Sequence, residues 1–226
     1  MFGVVSKIDK IVPIKLNPKR EGGFAMRGKT IKEVLSASAP FETRFIPDLE
    51  ELEAVTRNLQ QSGYKVVLTQ GVYDLIHEGH GRYLELAKQQ GDILIVGVDT
   101  DELTRKRKGK NRPVVPESER LRMLAFLRSV DILTLRTLEE AERDIDYLHK
   151  VIRPDVLVMS HTTRDFPVSK RAEIEKVVGE VVIFEPQAET STSARIRDLT
   201  IDGAGELKKR LIETMDGYFS EVKGVK

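Results

Sequence analysis

The chain has four histidines, and two of them stand three residues apart in Gln70-Gly71-Val72-Tyr73-Asp74-Leu75-Ile76-His77-Glu78-Gly79-His80. Imidazoles can ligate metal, shuttle protons or donate hydrogen bonds to phosphate oxygens. The spacing separates these uses. A zinc-protease helix needs histidines at i and i+4 with Glu beside the first, and here the second lies at i+3. A dinucleotide fingerprint needs three spaced glycines, and this turn has one, Gly71. Each histidine alone reads as a core residue or a helix cap. Together they sit where the apolar Val66-Val67-Leu68 run gives way to a helix carrying Leu84 and Ala87. A helix N-terminus there presents free N–H groups and a partial positive charge, which suits phosphate. Gly71 lets the backbone approach a ligand, since it carries no side chain.

Two other clusters have the same affinity. Arg105-Lys106-Arg107-Lys108-Gly109-Lys110-Asn111-Arg112 holds six basic residues in eight positions, in a chain of net charge +1. A solvated loop is the ordinary reading of such a run. Nucleic-acid contact lacks support, because no aromatic residue is interleaved to stack bases. Placed after the second core strand, the run is expected as a mobile loop clamping a triphosphate. Thr190-Ser191-Thr192-Ser193 follows the last strand, where hydroxyls can cap helix N–H groups and bind phosphate oxygens. Capping needs only one of them.

The elements that must position these groups follow from the pattern of apolar residues. Short apolar runs at 66–68, 93–98, 132–135, 156–159 and 181–184 alternate with helical periodicity. Expected helices include one over about 139–152 and one after Pro167 that ends at Gly179. Strands apolar on both faces and separated by helices predict a doubly wound parallel α/β sheet. In such sheets ligands bind beyond the carboxyl ends of the strands. Residues 63–200 form the predicted core. Residues 1–62 read as an extension with two short helices, one starting at Thr30 and one capped by Asp48. Residues 201–226 read as a C-terminal packing helix through Leu207, Leu211, Ile212, Met215 and Phe219, suited to a homodimer interface.

Composition narrows the chemistry further. Without cysteine the chain has no disulfide, thiolate zinc site, iron–sulfur cluster or Cys nucleophile. Near-neutral charge opposes a role in coating nucleic acid. No apolar run approaches the ~20 residues that span a bilayer, and the N-terminus lacks the apolar core of a secretion signal. A cytoplasmic protein is expected.

The histidine string resembles the G-x-F-D-x-x-H-x-G-H pattern of the nucleotidyltransferase superfamily, with Tyr73 in the Phe position. The likeness continues through Gly91-Asp92, Ile95–Val98, Asp101, Lys108-Gly109, Arg112-Pro113, Glu119-Arg120 and Val130-Asp131, and covers about residues 50–200. The run from Leu49 to Leu124 most resembles the adenylyltransferase domain of ADP-heptose synthases. Glycerol-3-phosphate cytidylyltransferases are similar at greater distance. The resemblance implies a five-stranded Rossmann-like core and transfer of AMP or CMP from a nucleoside triphosphate to a phosphorylated sugar or polyol. Pyrophosphate is released, and Mg²⁺ arrives with the triphosphate. It implies His77, His80, Lys108 and Arg120 as catalytic groups. Nucleotide contacts would come from Gly71, Val72, Tyr73, Asp74, Gly79, Asp101, Arg112, Ser191, Thr192 and Ser193. No protein-held metal, nucleic acid or membrane is implied.

The sequence also departs from the pattern. Relatives usually carry Gly-x-Asp after the fourth strand, where this chain has Ser160-His161-Thr162-Thr163-Arg164-Asp165. His161 and Asp165 are therefore the candidates for base or acceptor contact. Gln70 stands where ADP-heptose synthases tend to have Asn, and Gln187 near an Arg of the cytidylyltransferases. These changes leave ATP, CTP and a catalytically silent nucleotide-binding regulator as open readings.

Overall fold

A computed structural model of the chain describes residues 36, 39–161, 171–187, 205, 207–209 and 211–213. Five strands form one parallel sheet: β1 Val66–Gly71, β2 Ile93–Asp99, β3 Ile132–Arg136, β4 Val156–Ser160 and β5 Glu180–Phe184. Their spatial order is β3-β2-β1-β4-β5, so the winding reverses between β1 and β4. Around them lie α1 Phe41–Arg44, α2 Leu49–Gln61, α3 Glu78–Lys88, α4 Asp101–Lys108, α5 Glu117–Ala125, α6 Leu138–Arg143, α7 Tyr147–Ile152 and α8 Arg171–Ile174. β2 is buried along its whole length, as a central strand covered on both faces must be. Leu68, Ile95 and Ile132 share one face with Leu52 and Leu59 of α2 and Leu148 of α7. Val67, Leu94 and Val96 share the other with Leu84 of α3 and Leu121 and Leu124 of α5.

Local signals explain the boundaries. The Asp48 carboxylate accepts from Glu51 N–H and starts α2. The Tyr83 hydroxyl bonds with Thr69 at 2.8 Å and donates to the Val158 carbonyl at 3.2 Å, which fixes α3 across β1 and β4. Asp131 takes N–H of Leu94 at 2.7 Å and the Lys88 ammonium at 2.5 Å. That motif residue, like Gly91, serves the amino edge of the sheet, away from any ligand. A Cβ on Gly91 would lie 2.6 Å from the Lys65 carbonyl oxygen, so only glycine fits there.

Several expectations are corrected. The helix expected over 139–152 is two helices, α6 and α7, broken at Asp144, whose backbone is extended. The helix expected to end at Gly179 stops at Ile174 and continues as turns. The boundary at residue 62 does not separate an extension from the core. Ile46 N–H bonds to the Leu133 carbonyl, and the Arg44 guanidinium donates to the carbonyls of Ala125, Val130 and Asp131. Ile46, Leu52 and Leu59 are core residues, each worth roughly 1.5–3 kcal/mol of burial. The C-terminal stretch is helical at 205, 207–209 and 211–213, with Leu207, Leu211 and Ile212 exposed, which leaves the expected packing helix neither met nor overturned. The helix expected from Thr30 lies outside the described residues.

Candidate active site

The chain leaves β1 at Gly71 and makes a cramped turn before α3. Tyr73 and Leu75 both take positive φ, +54° and +46°, a conformation costly for side-chain-bearing residues and concentrated at functional sites. Gly71 serves this turn directly: a Cβ on it would lie 3.2 Å from the Tyr73 ring. The glycine expected to admit a ligand therefore admits the Tyr73 side chain. Burial pushes the Tyr73 phenol well above its usual range, so it stays protonated.

His77 is the N-cap of α3, and its Nδ1 accepts from Gly79 N–H at 3.1 Å. His80, one turn in, reaches back with Nδ1 to the His77 N–H at 3.4 Å. The two rings lie 4.0 Å apart, and Tyr73 meets His80 edge-on. A neutral imidazole that accepts at Nδ1 carries its proton at Nε2. The capping box thus selects one tautomer in both rings and leaves Nε2–H as the donor. Burial, then the neighbouring His77 and the Lys108 charge, lower the His80 pKa to about 4. His80 is a neutral donor at physiological pH.

The first half of the basic run, Arg105–Lys108, is helical, and only its second half is the expected loop. Thr100 caps α4 by accepting from Leu103 N–H; Asp101 and Glu102 occupy its first turn and Arg105–Lys108 its last. That charge order matches the helix dipole. Gly109, at φ +98°, ends the helix. Lys108 is exposed over its surface as a whole. Partial withdrawal from water, with the guanidinium groups of Arg112 and Arg107, still pulls its pKa below the ordinary value. The Lys108 charge in turn contributes to the lowering of His80.

Asp74 and Arg120 take parts that the sequence did not reveal. The buried Asp74 carboxylate accepts from N–H of Val114 and Val115 and pairs with Arg112 at 2.9 Å. It fastens the 112–115 segment over the turn and sets Arg112 there. Arg120, expected to touch phosphate, is fully buried. Its guanidinium donates to the carbonyls of Val115, Val72 and Asp99 and to Asp101 Oδ1. It is a brace that joins the β1 turn to the end of β2. Asp101 is held by this pair and by its N–H to Glu117. Gly79 is buried within the first turn of α3.

His161 lies just past β4, across the winding reversal from β1. Its side chain is exposed and its N–H bonds to the Phe184 carbonyl. Asp165, Ser191, Thr192 and Ser193 lie outside the described residues. Sequence reasoning missed Asp99, Arg107 and Arg136, an ion triad in which the buried Asp99 and Arg136 close β2 and β3 and the partly exposed Arg107 reaches them from α4. Its only signal was an acid closing an otherwise apolar strand. Among the described residues, no group of three or more His, Cys, Asp or Glu is disposed to hold a metal ion.

Paired imidazoles thus stand at the first helix N-terminus of a parallel sheet, with Arg112 tied to the same turn through Asp74, at the strand ends where such sheets bind ligands. The cytidylyltransferase-like family model matches residues 68–198, and the chain belongs to that family. Among curated proteins it is similar to the bifunctional protein HldE of Nitratiruptor sp., with 36% identity over 160 residues, 70% of this chain and 33% of that protein. The bifunctional protein HldE of Shigella sonnei is 34% identical over 69% of this chain and 32% of its own length. The chain spans about a third of the length of the curated relatives it matches. Among solved structures, a lipopolysaccharide core biosynthesis protein from Thermoplasma volcanium is 27% identical, with a TM-score of 0.47 over 54% of this chain and 97% of that one.

Proposed function

We propose that this chain transfers AMP from ATP to a phosphorylated sugar or polyol and releases pyrophosphate. The observation that carries the reading is the tautomer-locked pair His77 and His80 at the start of α3, with Arg112 held to the same turn by Asp74. An acceptor phosphate oxygen attacks the α-phosphorus, and the bond from that phosphorus to the oxygen bridging to the β-phosphate breaks. The acceptor is already anionic, so no strong base is needed. The work is alignment and neutralisation of charge on the transferring group and the departing pyrophosphate. His80 donates from Nε2 to a phosphate oxygen, Lys108 and Arg112 supply positive charge, and Arg120 holds the turn that carries them. Ser191, Thr192 and Ser193 are assigned to the β- and γ-phosphates, and His161 and Asp165 to the base or acceptor. Mg²⁺ travels with the triphosphate and supplies further neutralisation. The turn itself offers nitrogen donors and cations, a poor oxygen cage for Mg²⁺, because Asp74 is already paired to Arg112.

The family description supports a second reading, CTP-dependent transfer of CMP to glycerol-3-phosphate or an amino-alcohol phosphate. A pyrophosphate-release screen of ATP and CTP against sugar, polyol and amino-alcohol phosphates separates the two. Release with ATP, and with sugar or polyol phosphates, is the expected result. Nucleotide binding without release from any acceptor would instead favour a catalytically silent regulator. A cytoplasmic homodimer belongs to the same proposal, and sedimentation equilibrium at twice the chain mass is its check.

A further inference from the structure

Asp99 closes β2 with its side chain wholly buried, and two arginines reach it from different elements. Arg107, on the last turn of α4, donates from Nη1 to Oδ2 at 2.6 Å. Arg136, at the end of β3, donates from Nε to Oδ1 at 2.8 Å. One carboxylate therefore faces two guanidinium groups, and the buried Nη1 of Arg136 has no hydrogen-bond partner. A carboxylate buried with one guanidinium that has an unmet donor, and paired to a second that is partly exposed, is a poor stabiliser. Its geometry makes sense as a placement device.

Arg107 precedes Lys108 in the chain and lies eight residues after Asp99. Their bond folds the end of α4 back onto the strand from which the helix started. Thr100 fixes the first turn by capping, and Asp99 fixes the last through Arg107. The backbone of Asp99 is itself held, since its carbonyl accepts from Arg120, the side chain that also grips Val72 in the histidine turn. A single residue thus relates the lysine-bearing helix end to the histidines. We propose that Asp99, held between Arg107 and Arg136, is the positioning residue that sets Lys108 against the triphosphate. The proposal rests on the nucleotidyl-transfer reading.

Asp99 touches no reacting atom. Besides holding the turn, its charge acts on the lysine. The charged groups that act on Lys108 are Arg107 on its own helix, Arg112 after it, Asp99 at the end of β2 and Asp74 in the β1 turn, and Lys108 in turn acts on the neutral His80 of α3. Burial, Arg112 and Arg107 lower the lysine pKa, and the two carboxylates raise it. Loss of the Asp99 charge lowers it further.

The test is Asp99→Asn and Arg107→Gln, each alone and combined with Lys108→Ala, assayed by pyrophosphate release. Each single change is expected to lower kcat at least tenfold with little change in nucleotide KM. In Asp99→Asn the alkaline limb of the kcat–pH profile moves to lower pH. In the Lys108→Ala background neither change lowers kcat further, and Arg107→Lys restores part of what Arg107→Gln loses. Arg107→Gln leaves the buried Asp99–Arg136 pair in place and keeps the test alive if Asp99→Asn does not fold. Losses that multiply with Lys108→Ala, or wild-type kcat in both single variants, would overturn the proposal while leaving the transfer reading intact. A wild-type chain that releases no pyrophosphate with any acceptor overturns both.

Discussion

His80 and Arg120 both belong to the family pattern, yet they fail differently when removed. His80 is half-buried at a helix start, and in the proposed reaction its Nε2–H acts only when phosphate is present. His80→Ala is expected to lose about 10²–10³ in turnover, the usual consequence of deleting one transition-state donor, while circular dichroism stays native. Arg120 serves three carbonyls and a carboxylate from full burial. Arg120→Ala strands those acceptors and should cost roughly 3–5 kcal/mol of stability, read as a lowered urea midpoint. The sequence presents the histidines well, because two residues of one scarce type coincide with a strand-to-helix junction. It presents Arg120 poorly, because a charged residue on a helix looks like surface unless the acceptors around it are known. Those acceptors come from residues 72, 99, 101 and 115 and converge only in three dimensions.

At the scale of elements, the strands were readable and the charged helix was not. Apolar runs such as Ile93–Val98 declare a buried parallel strand by composition alone. The run Arg105–Lys108 has almost no apolar face, so periodicity cannot show that it is helical. Its cap Thr100 and the acid-to-base order of its charges were the available signals. Thr100→Ala should lower stability by about 1 kcal/mol, and a fall in kcat larger than the fall in folded fraction is expected, because α4 delivers Lys108. The break between α6 and α7 was equally hidden, since Leu148 and Ile152 continue a helical spacing across it. Leu148 packs so closely over β2 that a Cβ on Gly97 would lie 2.5 Å from its Cδ2. Gly97→Ala should therefore cost about 1–3 kcal/mol, and a chemical-denaturation cycle with Leu148→Ala should show much of that cost disappearing.

For the whole molecule, two imidazoles, the buried His149 and the half-buried His80, set the response to acid. Burial is the main cause that lowers both His80 and His149 from 6.5 to about 4. Above pH 6.5 neither the native nor the unfolded chain is protonated at these sites, and full stability is present. Between 6.5 and 4 the unfolded chain takes up protons that the native chain refuses, so stability falls as pH falls. Urea midpoints should decline across that window, and His149→Gln should flatten the decline. The doubly wound topology was legible because it follows from alternation of elements. The attachment of residues 41–61 was not, because it depends on Arg44 and Ile46 meeting residues some 80 to 90 positions later. Arg120 extends that dependence to the site itself. It grips the Val72 carbonyl from 48 positions downstream, so the histidine turn leaves the ribosome well before its brace does. Nascent chains that end short of Arg120 will carry the full His-x-Gly-His motif and remain catalytically mute, and excising the turn as a portable phosphate-binding cassette will fail for the same reason.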